Sequence, residues 1–139
     1  MNGYSIYKEQ KSLGWTRVDL LIELYSATIR NVQEAIDAAA ANDAELERQK
    51  RFHAMRLVLQ LQAGLDFNYG ELPQNIARLC DFVQHALGSG DSDALKSSIR
   101  VLSDLRDAFQ GIREEAVRLE AENAIPPLET ASHTNSRAV

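Results

Sequence analysis

G-E-L-P-Q-N-I-A-R-L-C-D-F, residues Gly70 to Phe82, is the stretch on which the reading of the fold turns. A glycine opens it and Pro73 stands three positions on. Leu72, Ile76, Leu79, Cys80, Val83 and Leu87 then recur mostly at steps of three and four. Proline is tolerated in the first turn of a helix, where its missing N–H would have had no partner within the helix. Steps of three and four keep side chains on one helical face. The stretch therefore predicts an amphipathic helix. Such a helix does not need Asn75, Asp81 or Phe82, and those three residues raise the question of function.

Outward from this helix, turn chemistry brackets it on both sides. G-L-D-F-N-Y-G-E (Gly64 to Glu71) precedes it, and G-S-G-D (Gly88 to Asp91) closes it and caps the next. Upstream, a helix is expected to begin at Asp43, a good N-cap, with Glu45 and Glu47 in the first turn where the helix dipole favours anions. Its apolar residues are Leu46, Phe52, Met55, Leu57, Val58, Leu59, Leu61 and Leu65. The cluster Leu57 to Leu61 points nearly all the way round the axis, so one face cannot hold it and the helix is central or offers apolar surface to a partner. Leu57 and Leu61, one turn apart and away from a Met55/Leu59 stripe, are expected to line a groove. Further upstream, Val18, Leu21, Ile22, Tyr25, Ile29, Val32 and Ile36 mark a helix from about Arg17 to Ala41, widened by Leu20 and Leu24. Thr16 and Asp19 are placed to act as a capping box.

Downstream, Leu95, Ile99, Leu102, Leu105, Phe109, Ile112, Ala116 and Leu119 form an uninterrupted stripe over about Ser92 to Glu122. No convincing strand pattern occurs. Four long helices with short connections predict an all-α fold, an antiparallel up-down four-helix bundle. The bundle is expected over 1–122. Within it, 1–15 form a mobile N-terminal arm, apolar and aromatic at Tyr4, Ile6, Tyr7, Leu13 and Trp15 but without a helical period. Residues 123–139, with Pro126 and Pro127 and a polar remainder, are expected to be a disordered tail.

The 139 residues suit one domain, and a hydrophobic share of 45% suffices for an ordinary core. No apolar run approaches the ~18 residues of a membrane span, and no secretory leader is expected from M-N-G-Y-S-I-Y-K-E-Q. Cys80 is the sole cysteine, which is simplest in a reducing cytoplasm. The net charge of −5 argues against nucleic acid as a partner. Basic residues concentrate only in K-R-F-H-A-M-R, Lys50 to Arg56.

The search for chemistry finds no catalytic, cofactor or metal set, and the chain is read as a non-enzyme. His53, His85 and His133 lack the i, i+4 spacing of a helical metal site, and Cys80 has no ligand partner nearby in sequence. No nucleophile elbow or phosphate-binding glycine loop occurs. One alternative uses His53 as the phosphate acceptor of a four-helix histidine phosphotransfer domain. Arg56 suits that pattern, but Leu57 occupies the place where glycine is wanted.

Four stretches together resemble the FliS family of flagellar export chaperones. Gly70 to Phe82 is similar to the family's Gly-Glu-aliphatic start followed by Asn-Leu and Leu-Tyr-Asp-Tyr, with Ile76, Cys80 and Phe82 as departures and Leu79 and Asp81 as matches. T-R-V-D-L-L-I-E-L-Y (Thr16 to Tyr25) resembles its first-helix start, with Arg17 for Pro and Asp19 for Glu. L-R-D-A-F (Leu105 to Phe109) resembles its Leu-Arg-x-Ala-Trp, and Tyr7 in Y-S-I-Y matches a characteristic tyrosine of the arm. The resemblance implies a cytoplasmic type III export chaperone. It would hold the C-terminal segment of flagellin, prevent early polymerisation and deliver the cargo to the export gate. A different helical secretion or assembly chaperone fits the composition equally well. On the flagellin reading, Tyr4, Ile6, Tyr7, Leu20, Leu24, Leu57, Val58, Leu61, Leu65 and Phe82 are the expected partner-binding residues, with the arm as a gate over the groove.

Overall fold

The computed structural model of the chain describes residues 17–65, 68 and 70–121. Thr16, the arm over 1–15 and the tail over 123–139 lie outside the described residues. The architecture is all-α, with no strand among the described residues. The helices are α1 (Arg17–Ala40), α2 (Ala44–Ala63), α3 (Glu71–Ser89) and α4 (Ser92–Ala121). The contacts divide the chain into a larger unit, Glu23–Arg106, and a smaller one in which the start of α1 meets the last part of α4.

Local chemistry sets the helix ends. The Asp43 carboxylate accepts from the Leu46 N–H at 3.1 Å, and the Asp91 carboxylate from the Ala94 N–H at 3.0 Å, so each occupies a donor that the helix itself leaves unused. Gly70 precedes α3 with φ +84°, and Gly90 ends it with φ +70°. Both conformations are left-handed, where a side chain is disfavoured. The helix continues through Gly88, where a break is expected from sequence, and stops at Gly90.

In the larger unit α2 runs antiparallel to α3 and is tied to α1. Lys50 pairs with Glu34 of α1 at 3.0 Å. Arg51 donates to the Leu87 carbonyl, Gln84 to the Met55 carbonyl and Gln62 to the Asp81 carboxylate, each at 3.0 Å. Moving forward along α2 thus means moving back along α3. The core draws on all four helical segments: Tyr25, Val32 and Ala35; Ala54, Val58 and Leu61; Ile76, Cys80, Val83 and Leu87; Leu95, Leu102 and Leu105.

The seam within each helix is narrower than the apolar pattern predicts. In α1 it passes through Tyr25, Thr28, Val32 and Ala35, leaving Ile29 and Ile36 half-buried. In α4 it passes through Leu95, Ser98, Leu102 and Leu105, with Ile99 half-buried. Small side chains let helices approach, and the buried polar ones return their hydrogen bonds to their own helix. Thr28 donates to the Leu24 carbonyl, Asn31 to Ala27 and Ser98 to Ala94, so each polar group has a partner within its own helix.

The smaller unit buries Val18 and Phe109. Its start and end are tied by Arg113 donating to the Asp19 carboxylate. Asp19, expected to serve the first-helix cap, holds a cation of α4.

Candidate partner-binding surface

The roll of α3 decides which of its residues meet solvent. Ile76, Cys80, Val83 and Leu87 step by four, three and four and fill the core. One flank of this seam is held against α2 by the Gln62–Asp81 and Gln84–Met55 hydrogen bonds. The other flank carries Leu72, Asn75, Leu79 and Phe82, at steps of three, four and three. Leu72, Leu79 and Phe82 are 40%, 39% and 46% exposed. Scattered apolar residues are ordinary on a protein surface, but successive turns of one flank make a continuous strip. Asn75 sits within it, its side-chain oxygen accepting from Arg78.

The three residues that a plain amphipathic helix leaves unexplained thus have separate places. Asp81 binds α3 to α2 through Gln62. Phe82 ends the exposed strip, and Asn75 puts an amide among its apolar side chains. An amide can both donate and accept, so it can meet the backbone of a bound segment. Leu72 and Leu79 were expected in the core and stand instead at its edge. The four-three-four seam at Ile76–Leu87 is the signal in the sequence that could have placed them.

The other expected contact residues scatter. Leu24, Leu57 and Leu65 are half-buried in the larger unit, and Leu20, 47% exposed, belongs to the smaller one. Tyr4, Ile6 and Tyr7 lie outside the described residues. Val58 and Leu61 are 0% and 1% exposed, so the expectation that Leu61 lines a groove is corrected. The reason is Ala54. Counting it as a core residue gives Ala54, Val58, Leu61 the four-three seam of α2. Leu59, expected on the inward stripe, is then rolled outward to 58% exposure, with Phe52 at 48%.

The ionisable groups of the core favour packing over reactivity. Burial, aided by the neighbouring Asp81 charge, pushes the Cys80 thiol up to about 11, so it stays protonated and poorly nucleophilic at neutral pH. Burial also raises the Tyr25 phenol, with Cys80 adding to the shift. His53 is exposed and its Nδ1 lies 3.2 Å from the Arg56 guanidinium. No cluster able to hold a metal occurs among the described residues, and no helix there is long and apolar enough to cross a membrane.

Comparison with curated proteins finds no match. A family model, by contrast, matches residues 1–116, which include Tyr4 to Tyr7, the start of α1, the whole of α3 and Leu105 to Phe109. Its description is flagellar protein FliS.

Proposed function

The chain belongs to the flagellar protein FliS family, and from this premise we propose that it is an export chaperone for flagellin. It would hold flagellin's C-terminal segment in the cytoplasm, keep it from polymerising early and deliver it to the export gate. The observation that carries this reading is the strip Leu72–Asn75–Leu79–Phe82, an exposed apolar flank inside the family-matched region. An amphipathic helix seats its apolar face on such a surface.

Magnitudes set the extent of the contact. Burying a whole leucine or phenylalanine is worth about 1.5–3 kcal/mol, so the still-exposed part of each strip residue contributes about 1 kcal/mol. Ordering a disordered segment costs about 2–5 kcal/mol or more. The strip alone is therefore too small, and the segment must extend over further apolar surface. Within the larger unit, Leu24, Leu57 and Leu65 retain exposed area for this. Tyr4, Ile6 and Tyr7 are proposed as arm contacts on the family pattern.

Isothermal titration against flagellin with and without its C-terminal segment tests the proposal. The intact protein should bind and the truncated one should give no heat. Full affinity for the truncated flagellin rejects the reading. Phe82→Ser should weaken binding about tenfold, a loss of about 1.4 kcal/mol.

A further inference from the structure

The outward face of α2 lies apart from the strip on α3 and has a different chemistry. Phe52 and Leu59, seven residues apart, are 48% and 58% exposed, and half-buried Met55 stands between them at the third position. Arg48 lies one turn before Phe52 and Arg56 one turn after it. From Arg48 to Leu65 there is no acidic residue, although the whole chain carries a net charge of −5.

The aromatic ring is braced by its neighbour Arg51. The Arg51 guanidinium lies over the Phe52 ring at 5.2 Å from its centre, and is itself fixed by Glu47 at 2.7 Å and the Leu87 carbonyl at 3.0 Å. A ring braced in this way loses little freedom when a partner covers it, which is what makes an aromatic anchor effective. Its flanking cations are available. Arg48 reaches Glu45 only through an exposed pair at 3.3 Å, of the kind worth under about 1 kcal/mol. Arg56 meets the His53 ring rather than a carboxylate.

We infer that this face of α2 is a second docking surface, one that takes an amphipathic helix with acidic residues flanking its apolar stripe. Charge complementarity selects the occupant. The partner's leucine-like side chains cover Phe52, Met55 and Leu59, and its carboxylates meet Arg48 and Arg56. A second copy of this chain fits poorly. Two α2 helices crossing antiparallel about Phe52 would set Arg48 of each against Arg56 of the other. The inference rests on α2 alone and does not depend on flagellin being the cargo of α3.

The probes are two short labelled peptides with the same leucine spacing, one with glutamates in its end turns and one with lysines. Fluorescence anisotropy against the full chain should show the glutamate peptide bound at least about tenfold more tightly, with the difference shrinking as salt is raised. Phe52→Ser should weaken the glutamate peptide about tenfold, whereas Phe52→Tyr and Phe82→Ser should leave it unchanged. Arg48→Glu together with Arg56→Glu should reverse the preference. Circular dichroism of each variant, matching the parent, keeps the result separate from unfolding. Equal binding of the two peptides, indifference to Phe52→Ser, or loss on Phe82→Ser overturns the inference. So does sedimentation with phosphatidylglycerol vesicles while neither peptide binds, or a Phe52-dependent dimer in place of peptide binding.

Discussion

Leu61 and Phe82 are both large apolar residues within helices, yet one is 1% and the other 46% exposed. Leu61→Asp would place a carboxylate among core side chains without a partner, at a cost of several kcal/mol. We expect that variant to be unfolded at room temperature by circular dichroism, while Phe82→Ser keeps its helical signal and its melting midpoint within a few degrees. A folded Leu61→Asp protein would return Leu61 to the surface. Cys80 gives a second prediction, with a definite sign. Its folded value is raised from 9.0 to about 11, so the folded state holds the proton more tightly than the unfolded chain. The associated stability is present below about 9 and is lost as the pH rises through about 11. Tyr25, also raised, acts in the same direction at higher pH. Cys80→Ala should flatten the fall in urea-unfolding stability across that interval. In the parent protein, Ellman's reagent at pH 8 should react only as fast as the chain opens. Rapid native-state reaction would contradict the burial of the thiol.

At the scale of the element, the helix ends and the helix rolls differ in what determines them. The Asp43 and Asp91 caps are made within four residues, so residue type and spacing predict them correctly. The end of α3 adds a tertiary contact. A Cβ at Gly90 would take a left-handed φ of +70° and come within 3.4 Å of the Arg51 guanidinium, which caps the Leu87 carbonyl. Gly88, by contrast, lies inside the helix and has nothing within 4 Å. Gly90→Ala should therefore lower stability in urea by about 1–2 kcal/mol. Gly88→Ala should leave it unchanged or raise it by up to about 1 kcal/mol. If the two substitutions behaved alike, the left-handed cap and its arginine would have no energetic role. The apolar stripes identify each helix, but they are wider than the buried seam. Thr28, Ala35, Ala54 and Ser98 enter the core ahead of Ile29, Ile36, Leu59 and Ile99. Small residues carry little hydrophobic signal, so a reading weighted by apolar size sets the roll of α1 and α2 wrongly.

For the whole molecule, the proposed function requires a small exposed strip to seat a much longer cargo segment. If flagellin's segment wraps and folds on binding, much apolar surface leaves water, and the heat capacity of binding should be markedly negative. Titration at several temperatures measures this. A value near zero would mean a local contact and reject the wrapping mode. A cargo that binds only the folded chaperone also stabilises it, by about 2.7 kcal/mol at a ligand concentration near one hundred times Kd. The melting midpoint should rise with added flagellin segment and stay level with truncated flagellin.

Sequence alone determined the all-α class, the four helices to within a residue or two, the acidic caps and the family pattern. Each follows from information local to a segment: a period of three and four, a carboxylate at the helix start, or a glycine at a left-handed turn. It also picked out Phe82 as a residue that the core does not require. Tertiary structure decided which arc of each helix is buried, because that depends on the neighbour and on how closely small side chains let it approach. Ala54 drew Val58 and Leu61 inward and turned Leu59 out, while the bonds from Gln62 to Asp81 and from Gln84 to the Met55 carbonyl settled the roll of α3 and exposed Leu72 and Leu79. Periodicity reports that a helix has an apolar side, but only packing assigns the edge residues of that side to core or to surface, since their hydrophobicity is the same in either place.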